Sequence, residues 1–246
     1  MHRSLLLALI FTAGILITGA RAAHAQTDES RWEVGGQLYA FNVGNGTVES
    51  TSVNPCLVPP CPLTVTTVEH RQAEPGFGGR VGYSLNRHVT AEAEVNYFPR
   101  GGELTDPDFN GGRKLQGLFG VKAGRRYENF GLFAKARPGF VNFEEGDLRQ
   151  PQGTACVALF PPPLSCFESK GRTDFALDVG GVVELYPSAR TIIRFDAGDT
   201  ILRSGAHRVP STTQISPTGF TYLSAPTVNA ETTHNFQGGV GFGFRF

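Results

Sequence analysis

The chain carries no surplus of either charge: 22 Lys and Arg stand against 22 Asp and Glu in 246 residues. Binding to nucleic acid or to an anionic surface draws on a basic excess, so that class of partner has no support. Long apolar runs are also missing. After the first 25 residues nothing approaches the roughly 20 consecutive apolar residues of a transmembrane helix, and the mean hydropathy is −0.15. Any residence in a membrane therefore falls to strands, which can satisfy their backbone groups in lipid only when they close on themselves. Cysteine is scarce, with four in all. They form two close pairs in Pro-rich sequence, Cys56 with Cys61 and Cys156 with Cys166. Three pairings are formally open; in an exported chain two local disulfides, each stapling one loop, are expected. A four-cysteine metal site would want Cys-x-x-Cys spacing or a nearby His, and neither is there. No metal or other cofactor is expected.

What the sequence does have begins at its start. Met1, His2 and Arg3 precede an apolar run from Leu5 to Ile17, and Ala23-His24-Ala25 is a small-x-small cleavage site. This is the pattern of a secretory signal peptide, residues 1–25, leaving a mature chain from Gln26. Without Arg3 and Arg21 the mature chain has 20 basic and 22 acidic residues, a net charge of −2. Residues 26–246 fit one domain of barrel size.

The composition is rich in Gly, with 31, and Phe, with 19, and the pattern explains how a chain of such modest hydropathy can meet lipid. Eight segments alternate with period two: 31–41, 76–85, 88–98, 114–126, 130–143, 171–186, 190–199 and 234–246. The connections alternate as well. Residues 42–75, 99–113, 144–170 and 200–233 are long; 86–87, 127–129 and 187–189 are tight. Four long loops at one end and three tight turns at the other predict an all-β, eight-stranded antiparallel up-and-down transmembrane barrel.

A lipid-facing Arg or Lys near the bilayer midplane costs roughly 2–4 kcal/mol, so the apolar faces must point outward. Trp32, Val34, Leu38, Phe77, Val81, Val95, Phe119, Val121, Leu132, Phe175, Val183 and Phe195 belong to that face. Aromatic residues are expected at both interfaces. Trp32, Tyr83, Tyr127, Phe130, Tyr186 and Phe246 would mark the tight-turn rim, and Phe41, Phe77, Tyr97 and Phe143 the other. The inward faces carry Glu33, Arg80, Glu92, Glu94, Lys122, Lys135, Arg137, Asp174, Asp178, Glu184, Arg190, Arg194, Asp196 and Arg245. An eight-stranded lumen is barely wide enough for its own side chains, and buried charges are costly unless paired. The expectation is an interlocked ionic plug; a narrow path for small ions is the alternative.

The end of the chain, Asn235 to Phe246, reads N-F-Q-G-G-V-G-F-G-F-R-F, with Phe236, Gly238, Val240, Phe242, Phe244 and Phe246 on one face. It resembles the closing strand of bacterial outer-membrane barrels. With the hairpin layout, the chain is similar to the small outer-membrane β-barrel family that includes the OmpA transmembrane domain and the OmpX-type proteins. The resemblance implies that Phe242, Phe244 and Phe246 form a signal read by the barrel-assembly machinery. It also implies integral outer-membrane residence among lipid and lipopolysaccharide, with both termini periplasmic. Nothing follows Phe246, so the peptidoglycan-binding domain of full-length OmpA-like proteins is not expected.

Signals for catalysis are thin. Lipid-modifying barrels place His, Ser and a carboxylate together at the lipid-facing rim. Here Glu231 and His234 are close in sequence, while Ser204 and Ser211 are elsewhere in the same loop. His70, His88 and His207 are isolated. Asn45-Gly46 is read as a turn, and the Pro runs as stiffeners of exposed loops. The sequence therefore points to a non-enzymatic barrel, structural or presenting loops for adhesion to an extracellular ligand or host surface. Rigid scaffolds place recognition on their loops, and Phe220, Tyr222 and Leu223 in the last loop are possible contacts.

Overall fold

Period-two alternation becomes eight long strands because a pleated strand sends successive side chains to opposite faces, and only closure removes the unpaired edges. The computed structural model describes residues 31–44, 48–53, 63–68, 71–101, 111–149, 167–209, 211–215, 220–224 and 227–246. The signal-peptide segment and all four cysteines lie outside the described residues. The barrel strands are β1 (Trp32–Gly44), β2 (Arg71–Ser84), β3 (Val89–Phe98), β4 (Lys114–Arg126), β5 (Phe130–Arg149), β6 (Glu168–Ser188), β7 (Thr191–Ser204) and β8 (Glu231–Arg245). Each pairs antiparallel with its neighbours in sequence, and β8 closes on β1. At the seam, Trp32 N–H donates to Phe246 O and Phe246 N–H to Trp32 O, both at 3.0 Å. Among the described residues no helix is long and apolar enough to cross a membrane.

The strands run further toward the long-loop end than the apolar alternation indicates. β2 begins at Arg71, β5 continues to Arg149, β6 begins at Glu168 and β7 ends at Ser204. Backbone pairing goes on past the belt, where neither face needs to be apolar, so the hydropathy signal stops before the strand does. The β5–β6 ladder holds to Arg149↔Glu168 across a bulge between Phe143 and Asp147. Short two-stranded pairs continue into two loops, 48–53 with 63–68, 207–208 with 227–228, and 211–215 with 220–224.

Outward side chains form the belt: Leu38, Phe77, Val95, Phe119, Phe175, Phe236, Phe242 and Phe244 are all exposed. Trp32 packs on Tyr83 and Tyr127 on Phe130 at the tight-turn rim, with ring centroids 4.9 and 4.6 Å apart. Two of the expected outer-rim aromatics are placed differently. Phe41 and Phe143 are buried inside the barrel, packed with Tyr39, Val43, Phe98, Leu118, Val141, Ala176 and Leu202. Both sit on the inward parity of their strands, and the apolar lining they join lies at the loop end of the lumen. Tyr186 lies at its expected rim but turns inward, donating to Glu184 and receiving Arg126.

Candidate functional site

The inward positions of alternating strands converge on one axis, and the structure places the charged residues named above along it. Arg190 is the exception; it sits in the exposed β6–β7 turn. Lys122 on β4 reaches Glu33 at 2.8 Å, Glu92 at 3.3 Å and Glu184. Arg194 on β7 forks onto Glu92 at 2.5 and 3.2 Å and onto Asp196 at 2.7 Å. Arg137 on β5 donates to Asp178 through Nε at 2.8 Å and Nη2 at 2.6 Å, and to Glu94 through Nη1 at 2.5 Å. Lys135 bridges Asp178 at 2.8 Å and Asp196. Toward the tight-turn rim, Arg126 and Arg245 hold Glu33 at 2.7 and 3.2 Å. Glu33, Glu92, Glu184, Asp178 and Asp196 each meet two or more cations, while Glu94 meets Arg137 and the neutral Asn96 and Tyr39; pairing is the condition under which buried charge is tolerated.

Two members stand apart. Asp174 is buried nearer the loops, where Arg172 and Ser204 serve it at 2.9 Å each, so it belongs to a separate cluster. Arg80 is held loosely: its nearest carboxylates, Glu92 and Glu184, are 3.8 Å away, and its Nε and Nη2 have no hydrogen-bond partner. Its guanidinium lies over Gly35 and Gly243, where a Cβ would come within 3.3 and 3.4 Å of it. Elsewhere the same economy makes room for a ring, since a Cβ at Gly239 would fall 2.4 Å from Tyr39.

Above the ions the sequence reading missed a row of amides. Gln37 donates to Asn96 at 3.0 Å, Asn96 to Gln116 at 2.8 Å, and Gln116 to Gln237 at 3.0 Å, where Thr200 joins at 2.8 Å. It also missed an ion pair among the apolar residues. Lys114 Nζ donates to both oxygens of Glu74, at 2.9 and 2.7 Å, and to Gly112 O at 3.1 Å. Both side chains are fully buried. The carbonyl is aimed by a Gly111-Gly112 turn at φ +90 and +74, a left-handed conformation that glycine adopts without strain. Parity was the available signal, because Gln72, Glu74, Gly76, Gly78 and Arg80 continue one face upstream of Pro75.

The candidate hydrolytic set is dispersed. His234 meets Asp199 at 2.5 Å on the outward face, while Ser204 is buried on the inward face and serves Asp174. Glu231 stands opposite Ser204 in the β7–β8 ladder, and His234 opposite Ile201. Among the described residues no group of His, Cys, Asp and Glu has the arrangement of a metal site.

His207, in the loop-end pair 207–208, is buried beside Arg172, and desolvation first and that guanidinium second hold its pKa below 6.5. Asp174, Glu231 and the Gly205 carbonyl act in the opposite sense. Folded protein therefore binds fewer protons than unfolded protein just below pH 6.5, and local stability should fall as pH drops from there toward the folded-state pKa. Protection factors around 207–208, which correct for the slower intrinsic exchange at lower pH, should fall between pH 6.5 and 5 in the native protein but not in His207→Asn; an equal fall in both would refute it.

A closed barrel with an apolar outer belt and an ionic, side-chain-filled interior defines an integral membrane β-barrel. The family model described as outer membrane protein beta-barrel domain matches residues 10–246, and the chain belongs to that family. Its place is the outer membrane. Among solved structures, Neisserial surface protein A is similar at 10% identity and a TM-score of 0.43, covering 87% of this chain and 97% of that one. Ail, the attachment invasion locus protein of Yersinia pestis, is 14% identical with a TM-score of 0.40, covering 89% and 100%. The outer membrane protease OmpT of Escherichia coli is 8% identical with a TM-score of 0.37, covering 91% and 99%. No curated protein matches.

Proposed function

We propose that this chain is a non-enzymatic outer-membrane barrel whose lumen is internal scaffold and whose activity lies at the loop end, as a structural element or a surface for adhesion. The observation that carries the reading is the filled lumen. Ionic network, amide row and apolar cluster succeed one another from the tight-turn rim to the loop end, leaving an eight-stranded barrel no wide path. The loop end supports the second half, because β5 and β6 extend 20 and 21 residues and lift the loops on a stiff ladder. In this reading the tight turns and both termini face the periplasm. Cys56–Cys61 and Cys156–Cys166 staple two extracellular loops, and Phe242, Phe244 and Phe246 engage the assembly machinery. Lipid and lipopolysaccharide surround the belt, and an extracellular ligand or host surface meets the loops.

The separation of Ser204 from His234 by the thickness of the sheet weighs against a lipid hydrolase. The test is single-channel conductance of refolded protein in a planar bilayer. A silent bilayer, with folding confirmed by heat-modifiable migration, is expected. Discrete, stable openings would overturn the plug and favour the narrow-channel reading, with the loosely held Arg80 as the first residue to replace.

A further inference from the structure

We propose that the lipid-facing wall of β4 to β8 binds one anionic glycerophospholipid, an acyl chain lying in an oblique trough and the phosphate against Arg125. The floor of the trough is a row of small residues in direct cross-strand register: Ala123, Ala134, Gly181, Ala197 and Gly238. Leu132, Val183 and Phe195 form the ridge on the tight-turn side. All of these but Gly238 line an open groove of about 610 Å³, which the small residue at 238 continues onto β8.

The glycines are not small for want of room. A Cβ at Gly181 would find its nearest neighbour at 3.9 Å and one at Gly238 at 3.5 Å, both ordinary contacts. By contrast, a Cβ at the inward Gly180 would fall 2.2 Å from Ala197 O. Packing accounts for the inward glycine, whereas the outward ones serve to keep the surface recessed.

The trough has the direction and length of an acyl chain. It begins at Ala123, three residues from the tight-turn end of β4, and rises to Gly238, well inside β8. Four interstrand steps of about 4.8 Å make about 19 Å along the row, which at a strand tilt of about 40° climbs about 12 Å of the roughly 15 Å between the interface and the midplane of a hydrocarbon core about 30 Å thick. At its lower end is a cation. Arg125 is exposed on the same face, pairs across the ladder with Leu132, and lies over the Tyr127 ring at 5.9 Å, with Phe130 stacked beneath. Arg87 and His88 stand at the neighbouring turn, against a single acid, Glu128, in the Arg125 turn itself. A guanidinium at the interface, at the foot of a recessed apolar track, is complementary to a phosphodiester with its chain.

This site rests on the orientation proposed above, with the tight turns toward the phospholipid leaflet. Native mass spectrometry of protein extracted from outer membranes in mild detergent should show one retained glycerophospholipid. Delipidated, refolded protein should bind phosphatidylglycerol about tenfold more tightly than phosphatidylcholine, and Arg125→Gln should abolish that preference. Gly181→Leu, and independently Ala197→Phe, should expel both lipids while migration stays heat-modifiable. The absence of an adduct in wild-type protein, equal retention in the filled-trough variants, or a protein dimer in place of the adduct would each overturn the proposal. Protease cleavage of the loops on intact cells reports the orientation separately, so its failure is distinguishable from failure of the site.

Discussion

Arg137→Ala is expected to cost about 3–5 kcal/mol of barrel stability, because it strips the shared cation from buried carboxylates rather than deleting one surface pair. Asp178 would keep only Lys135 at 2.8 Å, and Glu94 only Asn96 at 2.6 Å and the weaker Tyr39 hydroxyl at 3.5 Å. Glu92 and Asp196 would lose a more distant positive neighbour, at 3.9 and 3.6 Å. The measurement is the urea midpoint of protein refolded into vesicles, followed by heat-modifiable migration. A shift of less than about 1 kcal/mol, typical of exposed pairs, would mean that water enters the lumen freely and the network is not a sealed scaffold. Arg80→Ala is the internal comparison. Its Nε and Nη2 make no hydrogen bond, so the loss there should be distinctly smaller.

The second large effect is a contrast between single and double changes at Glu74 and Lys114. Each single change to an apolar residue, Glu74→Leu or Lys114→Met, abandons a fully buried charge beside Phe41, Phe98 and Phe143 and should cost about 3–5 kcal/mol. The double variant exchanges the pair for hydrocarbon of similar volume within an apolar cluster, and should return close to wild type or exceed it. Additive losses in the double variant would show that the two charges are stabilised by something other than each other. Since Glu74 tops β2 and Lys114 opens β4, the cycle also reports whether the loop-end section of the barrel unfolds with the rest.

Most of the architecture was legible because lipid imposes a strict outward rule on every second residue. All eight strands and their order follow from that rule, as do the inward positions of the charges within the belt, Glu74 and Lys114 excepted. It weakens where the belt ends. Residues such as Arg71, Glu144 and Arg149 lie on strands with polar neighbours on both faces, so nothing in hydropathy distinguishes them from loop. Glu74 was hidden for the same reason, preceding Pro75 in what read as a connection. Phe41 and Phe143 show the opposite error: parity alone put them inside, but an aromatic near a strand end invites an interfacial reading. The amide row was illegible in a different sense. Gln37, Asn96, Gln116 and Gln237 are unremarkable polar residues one strand at a time, and only closure of the barrel brings them within 3.0 Å of one another.

The seam between β1 and β8 also says something about time. Glu33 and Arg245 touch across it although 212 positions separate them. Joining ends that far apart costs about 5 kcal/mol in chain entropy, on the (3/2)RT ln n relation, whereas the tight hairpins β2–β3, β4–β5 and β6–β7 close over a few residues. Local hairpins therefore form early and the seam is the slow event. Until it forms, Trp32 and Phe246 are the ends of an open sheet with two bare edges, the state most prone to pair with another chain. An escort that grips the last strand would shield one edge at the moment it is most exposed.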